Sequence, residues 1–395
     1  MAGQQGIVDL MKEYDVLIVG GGVAGSVAAK FAAKGGLKTL FIEKKKTPRN
    51  KPCSGIQFKY LEKIIGEKIP RSRLCNNQLN RIEMHLPNGR HVTAPFAMLN
   101  FMRKPFDDWL NMVSKEYGAE FRDECEYVRH EDAPDHVIAT LRTGEKPGSE
   151  EQVKARYLVE ASGLMPAVRK IIRPCDFSPK YTGGTLNYYI NGTADLDPHT
   201  LYQFWNIEWN NAMFAWVYNK TLDDGKDYWV VGTGCNDANI KERQEAFYKH
   251  VKEKFHMDGE IVKKEGYTIT IDLLSNNRIW LGRERVLATG DAAGLIDTVR
   301  GVGMDAAALS GRLVAKAILK ADKNGTNAID EYSTLMKNVV KQARDNQRRE
   351  IGGFKTNDEL QAHLNKSMAK TGIGMFVQSF LNVFRPAEQQ RLLPP

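Results

Sequence analysis

Tyr14-Asp15-Val16-Leu17-Ile18-Val19 runs directly into Gly20-Gly21-Gly22-Val23-Ala24-Gly25, and small residues at helical spacing continue to Ala33. The opening six are rich in apolar and β-branched residues and stop abruptly at glycine, the pattern of a short buried strand. Lys38–Ile42 is a second apolar run, so the segment predicts a β-α-β unit of about 30 residues, the building block of a parallel sheet. The glycines fit G-x-G-x-x-G. Gly20 permits the tight turn, Gly22 lets the backbone approach a pyrophosphate, and Gly25 allows close helix–sheet packing. The helix start at Val23 and Ala24 offers free N–H groups and the positive end of the helix dipole to phosphate. Glu43 closes the second strand, 23 residues after Gly20, where a carboxylate accepts hydrogen bonds from ribose hydroxyls; Lys44 follows it. Strand, turn, helix, strand and acid together predict a dinucleotide site.

The rest of the chain suits that reading. It has 395 residues, 42% of them hydrophobic and 26% charged, a globular profile with room for more than one domain. Lys plus Arg number 56 against 48 Asp plus Glu, and the resulting +8 is spread along the chain. That excess suits an anionic ligand or an acidic lipid surface and argues against a dedicated nucleic-acid groove. The charge-free stretches Val16–Ala29 and Thr371–Phe384 have 14 residues each, short of the roughly 20 a spanning helix needs. Met1–Tyr14 shows no apolar leader pattern. Cysteines stand singly at 53, 75, 125, 175 and 235, with no C-x-x-C to hold zinc or an iron–sulfur cluster. No metal site is expected, and a reducing, cytoplasmic compartment is.

Moving outward, Ile82, Met84 and Leu86 alternate with polar residues up to Pro87-Asn88-Gly89, which predicts a hairpin over Arg81–Thr93. Pro105–Tyr117 carries Phe106, Trp109, Leu110 and Val113 on one helical face. Val137–Leu141 and Tyr157–Ala161 read as strands. The middle, Tyr181–Asp272, is β-type, and within Tyr188–Trp229 aromatic residues take 11 of 42 places against 9% in the whole chain. Such an excess serves either a sheet core or the wall of an apolar pocket. From Ile329 onward the pattern is mainly helical.

A second segment decides the cofactor. Val286–Thr289 is a strand ending in Gly290-Asp291, and Gly301-Val302-Gly303-Met304 opens a helix of small residues. This resembles the Gly-Asp motif of the flavoprotein monooxygenase and reductase superfamily. The resemblance implies that Asp291 binds the ribityl chain of FAD and that the helix start at 301–304 faces the flavin edge. Arg103 with Phe106, Asp107 and Leu110 resembles the superfamily's arginine-led helix start, which lies against FAD. Glu160-Ala161-Ser162-Gly163 with Arg169 resembles its Ala-Asp-Gly motif, with Ser162 in the aspartate's place. The implied architecture is α/β. A Rossmann-type FAD-binding domain (1–75, 101–175 and 278–325) is interrupted by a mixed β-sheet substrate domain (76–100 and 176–277), with a helical carboxyl-terminal region (326–395). Only one G-x-G-x-x-G occurs, so NAD(P)H would dock transiently or a protein would donate the electrons.

Pro52-Cys53-Ser54-Gly55 resembles the Pro-Cys-x-Gly segment of the geranylgeranyl reductase family, whose cysteine lies near the flavin ring. That family saturates isoprenoid double bonds. Phe214-Ala215-Trp216-Val217-Tyr218-Asn219-Lys220 is similar to its Tyr-x-Trp-x-Phe-Pro segment over the substrate cavity. The resemblance implies Cys53, Trp216 and Tyr218 as the reaction-side residues, with Cys53, Ser54 and Gly55 also against the cofactor. The alternatives are a monooxygenase or halogenase of the same fold, or a flavin electron carrier without a substrate.

Two apolar or basic features lie outside these motifs. Lys44, Lys45, Lys46, Arg49 and Lys51 form either a solvated loop or a landing site for a nucleotide phosphate or an acidic donor protein. Thr371–Phe384, flanked by Lys366, Lys370 and Arg385, reads as an apolar helix. Packing against the body of the protein or a partner copy is the favoured expectation, and lying on a membrane surface the other.

Overall fold

Val16, Leu17, Ile18 and Val19 are all buried, as the central strand of a parallel sheet covered on both faces must be. In the computed structural model, which describes residues 11–75, 77–144, 148–177, 182–270, 279–297, 301–347 and 353–393, the strand spans Lys12–Val19. The residues before it that bear on a leader lie largely outside that description. Lys12–Val19 pairs in parallel with Thr39–Ile42 on one side and with Ser149–Glu160 on the other. Glu120–Arg122 and Val286–Ala288 extend the parallel run at either end, and Gly282–Arg283 adds an antiparallel edge. The first half of Ser149–Glu160 also pairs with Val137–Thr143, which pairs back with Cys125–Asp132, completing an eight-stranded sheet.

Helices Val23–Lys34, Arg103–Glu116 and Met304–Asn324 cover one face. Val27, Ala28, Phe106, Leu110, Leu309 and Leu313 share a single core there. Leu17, Leu40, Tyr127, Leu141 and Val168 form the core of the opposite face. This is the doubly covered sheet that the opening glycine turn predicts.

A second eight-stranded sheet runs, in order, Asp258–Thr270, Thr182–Thr193, Asp227–Cys235, Ala215–Thr221, Thr200–Phe204, Leu79–His85, His91–Asn100, Ile56–Phe58. Every pairing is antiparallel except Thr200–Phe204 with Leu79–His85, so the sheet is mixed. The expected hairpin is present and longer than its motif, with Gly89 at φ +80° in the turn. Strand Ile56–Phe58, directly after the Cys53 loop, belongs to this sheet. Helix Ile240–Lys254 packs Phe247 and Val251 on one face, against Tyr188, Phe204, Val217 and Trp229. Tyr189, Phe214, Trp216 and Tyr218 occupy the other face.

The remainder is helical. Ala328–Gln347 packs Tyr332 and Met336 into the first core, and the Tyr332 hydroxyl donates to the Ala288 carbonyl at 3.0 Å. Helix Asn357–Phe384 starts at Thr356, whose hydroxyl accepts from the Glu359 N–H. It buries Leu360 and Leu364 beside Trp205, Ile207 and Met213. Its second half is not buried in the body of the protein, though Asn382 is enclosed and Phe376, Phe380 and Val383 border the cavity. Ile373, Phe376, Phe380 and Phe384 stand exposed, because the far end is tied down by polar contacts instead: Lys63 Nζ donates to the carbonyls of Asn382 and Val383. Among the described residues no helix is long and apolar enough to cross a membrane.

Candidate cofactor and substrate site

One cavity of about 2080 Å³ runs from the turn after the first strand to the aromatic face of the second sheet. At its nucleotide end stand Gly20, Gly22, Val23 and Ala24, with Glu43 and Lys44 beside them. Gly20 has φ +116°, and a Cβ on Gly25 would lie 1.9 Å from the Gly20 carbonyl oxygen. Gly25 therefore lies behind the turn and lets it close. Gly22 caps helix Val23–Lys34 with no side-chain bond, and the first turn holds no acid. The helix start thus presents unpartnered N–H groups and partial positive charge to the cavity.

Charged side chains tie this end to the loop that carries Cys53. Glu43 Oε2 accepts from Arg49 Nε at 2.8 Å and from the Gly21 N–H at 3.3 Å, while Oε1 accepts from the Lys45 N–H at 3.1 Å. Arg49 also approaches Asp107 at 3.5 Å. Arg103 grips the same Asp107 with two hydrogen bonds of 2.7 Å. Burial pulls the Arg103 guanidinium down, but Asp107 more than offsets it and holds the group charged, above its ordinary value. Cys53 neighbours Arg103, meets Met304 Sδ at 3.9 Å and accepts from the Gly55 N–H at 3.4 Å. Ser54 lines the cavity next to it, and Gly55 packs behind against Phe101.

Asp291 enters from the other side. Its Oδ2 lies 3.9 Å from Lys51 Nζ, and its Oδ1 rests against Gly303, 2.9 Å from where a Cβ would stand. Gly290 lies behind it, its N–H donating to Ser310 Oγ at 2.9 Å. Gly301, Val302, Gly303 and Met304 continue the wall, and helix Met304–Asn324 starts at Gly303 without a side-chain cap. Ala161, Ser162 and Gly163 close the floor. The Ser162 hydroxyl donates to Glu160 at 2.7 Å and accepts from the Ala167 N–H at 2.9 Å, so it holds the turn together. Buried Glu160 also accepts from the N–H groups of Ser162, Val168 and Arg169. Arg169 pairs with Asp176 and donates to the Ala292 carbonyl at 2.9 Å, clamping this turn to the Gly-Asp segment.

The opposite wall comes from strand Ala215–Thr221. Its side chains alternate, with Ala215 and Val217 under helix Ile240–Lys254, Trp216 and Tyr218 on the cavity side. The aromatic excess in this part of the chain therefore serves both purposes, one per face. Trp216 Nε1 donates to Asn187 Oδ1 at 2.8 Å, over Gly232, where a Cβ would meet both within 2.2 Å. Tyr218 is 1% exposed, and its hydroxyl has no partner among the described residues; Trp205 Nε1 and Gln57 Oε1 are alike in this. All three residues line the cavity.

Lys220 continues the alternation and escaped the sequence reading except as the end of the aromatic segment. Fully buried, its Nζ donates to the Ser54 carbonyl, to Asn100 Oδ1 at 2.8 Å and to the Phe101 carbonyl at 3.0 Å. The two-residue spacing from Trp216 and Tyr218 was the signal that placed it on this face. The basic loop is less open than its sequence suggests. Arg49 and Lys51 turn inward to acids, while Lys44, which pairs with Glu126 at 3.2 Å, is exposed along with Lys45 and Lys46.

The cradle fits FAD: a glycine turn that admits no Cβ at Gly20 or Gly25, a helix start at Val23 with no side-chain cap and no acid in its first turn, and carboxylates at 43 and 291 on one continuous wall. A model of the FAD binding domain family matches residues 13–347. The chain belongs to that family. As an FAD-binding oxidoreductase it is similar to digeranylgeranylglycerophospholipid reductase 3 of Methanosphaera stadtmanae, with 25% identity over 335 residues, 80% of this chain and 79% of that one. Its fold is that of a geranylgeranyl bacteriochlorophyll reductase-like protein of Thermoplasma acidophilum, with TM-score 0.74 and 21% identity over 89% of this chain and 90% of the other. The myxobacterial chondrochloren halogenase shares the fold at TM-score 0.67 and 17% identity, over 97% and 94% of the two chains. This FAD-binding oxidoreductase thus has structural neighbours on both the reductase and the halogenase side.

Proposed function

We propose that the chain saturates carbon–carbon double bonds of an isoprenoid-like apolar substrate. The observation that carries the reading is the single cavity joining the nucleotide turn to an aromatic wall, with Cys53 at the junction. The names of the reductase relatives support it. When bound, FAD would supply the hydride, its electrons coming from a transient nicotinamide cofactor or a donor protein. Gly20, Gly22, Val23, Ala24 and Glu43 would hold its nucleotide half, and Asp291 its ribityl chain. The helix start at Gly303 would face the cofactor with its backbone, while Asp305 in its first turn takes the Ala306 N–H. Trp216, Tyr218 and the apolar residues around them orient the alkene and exclude water, which an unactivated double bond requires. Cys53, held by Gly55 and flanked by Arg103, would give the proton or guide the substrate sterically.

The test is anaerobic incubation of the dithionite-reduced protein with prenylated lipids and quinones, read by mass spectrometry. A gain of two hydrogens per double bond is expected. Product that forms only with oxygen would favour the halogenase or monooxygenase chemistry of the fold neighbours, and redox cycling with no product an electron carrier. Asp291→Ala removes a charged hydrogen-bond acceptor and is expected to weaken FAD binding roughly tenfold to a hundredfold, measured by flavin fluorescence titration. Purification with full yellow occupancy would count against its role. Cys53→Ala should retain FAD yet lower alkene turnover at least about tenfold; an unchanged rate would make Cys53 a packing residue.

A further inference from the structure

We infer that the second half of helix Asn357–Phe384 seats the protein on an anionic lipid bilayer, with the cavity mouth against the membrane. Ile373, Val377, Phe380 and Phe384 recur at helical spacing, and Phe376 and Val383 widen the strip. Exposures of 66% at Ile373, 73% at Phe376 and 71% at Phe384 are far above what a solvated helix face normally carries. Phe376, Phe380 and Val383 also belong to the cavity wall, so the apolar strip and the opening are continuous.

Charge selects the occupant. Between Glu359 and Glu388 the chain has no acidic side chain, only the cations Lys366, Lys370 and Arg385. Lys59 and Lys63, from the neighbouring segment, line the same cavity. A second copy of the chain covering the strip about a two-fold axis would bring these cations face to face. An anionic headgroup layer neutralises them while the acyl region takes the phenylalanines. The inference rests on the isoprenoid reading only for its purpose, since such a substrate would pass from bilayer to cavity without crossing water.

Flotation with vesicles of phosphatidylcholine containing one-third phosphatidylglycerol tests it, with pure phosphatidylcholine as reference. The FAD-loaded protein is expected to float with the anionic vesicles. The double variant Ile373→Ser, Phe384→Ser should lose at least about tenfold in affinity. Lys366→Glu with Lys370→Glu should lose at least about tenfold on anionic vesicles and little on neutral ones. Both variants change exposed positions and should keep FAD and melting temperature. A wild-type protein that stays in the dense fraction overturns the inference, as does a dimer split by the Ile373→Ser, Phe384→Ser change without any vesicle binding. Flotation needs no turnover, so a protein that floats but reduces no lipid keeps this inference and loses the proposed reaction.

Discussion

Replacing Lys220 by methionine is expected to destabilise the protein by roughly 3 kcal/mol or more and to loosen the Cys53 loop. Methionine matches the bulk of the side chain but offers no donor. The carbonyls of Ser54 and Phe101 and the Asn100 side-chain oxygen would each lose the N–H they now accept from Lys220. A buried acceptor stripped of its partner costs about 1–3 kcal/mol. Denaturant unfolding of the FAD-free protein measures the effect, and limited proteolysis near residue 54 localises it. A loss below about 1 kcal/mol would show that the ammonium is not what holds the loop.

The same residue gives a pH signature. Burial pushes Lys220 down to about 8, below the ordinary lysine value, so the ammonium persists at pH 7. Between that folded-state value and the unfolded one near 10.4, the unfolded chain binds the proton more tightly. Unfolding free energy therefore rises with pH across this window, by up to about 3 kcal/mol. Comparing wild type with Lys220→Met between pH 7 and 10 should show the stability difference widening on the alkaline side. A constant difference would mean that Lys220 titrates normally.

Gly25→Ala is the second large effect. Its Cβ would stand 1.9 Å from the Gly20 carbonyl oxygen and 3.3 Å from the Ala161 side chain. Backbone cannot swing aside as a side chain can, so the turn must open. Overpacking of this kind costs about 1–3 kcal/mol, and because the opened turn is the phosphate cradle, FAD affinity should fall by about a hundredfold. Gly22→Ala is the control. Its Cβ would meet only Arg49 Nη2, at 3.3 Å. It should leave the melting temperature of the FAD-free protein unchanged and weaken FAD alone, so equal melting losses in both would refute the division of roles.

Local pattern carried much of this in advance. The strand–glycine–helix unit was legible because a turn without Cβ atoms and an all-apolar strand leave few other folds open. Ser162 shows what a motif leaves out: it lines the cavity as its place in the motif implies, and its hydroxyl also ties the turn together through Glu160 and Ala167, contacts that no motif names. Pairings between distant segments were not legible. Three residues, Ile56–Phe58, carry no strand signal of their own and join the second sheet through Met98–Asn100. The parallel contact of Thr200–Phe204 with Leu79–His85 likewise depends on how the chain returns, not on either segment's alternation. The apolar run after Thr371 is legible as a helix, but whether the body, a partner copy or a lipid surface covers it is not, because a string of apolar residues does not name its neighbour. What the reading lacked was Lys63, distant in sequence, which anchors that helix through its carbonyls and leaves the phenylalanines outside.

Strand Ala215–Thr221 gives the shape of the cavity a dependence on parity. A slip of one position against Asp227–Cys235 would hand the pocket Ala215 and Val217 and bury Trp216 and Tyr218 beneath Ile240–Lys254. A slip of two would restore aromatic rings to the opening, displaced along it by one pleat. Variants with an added residue in the turn before Asp227 would thus jump between a roomy, smooth pocket and a crowded one, with no graded series between them.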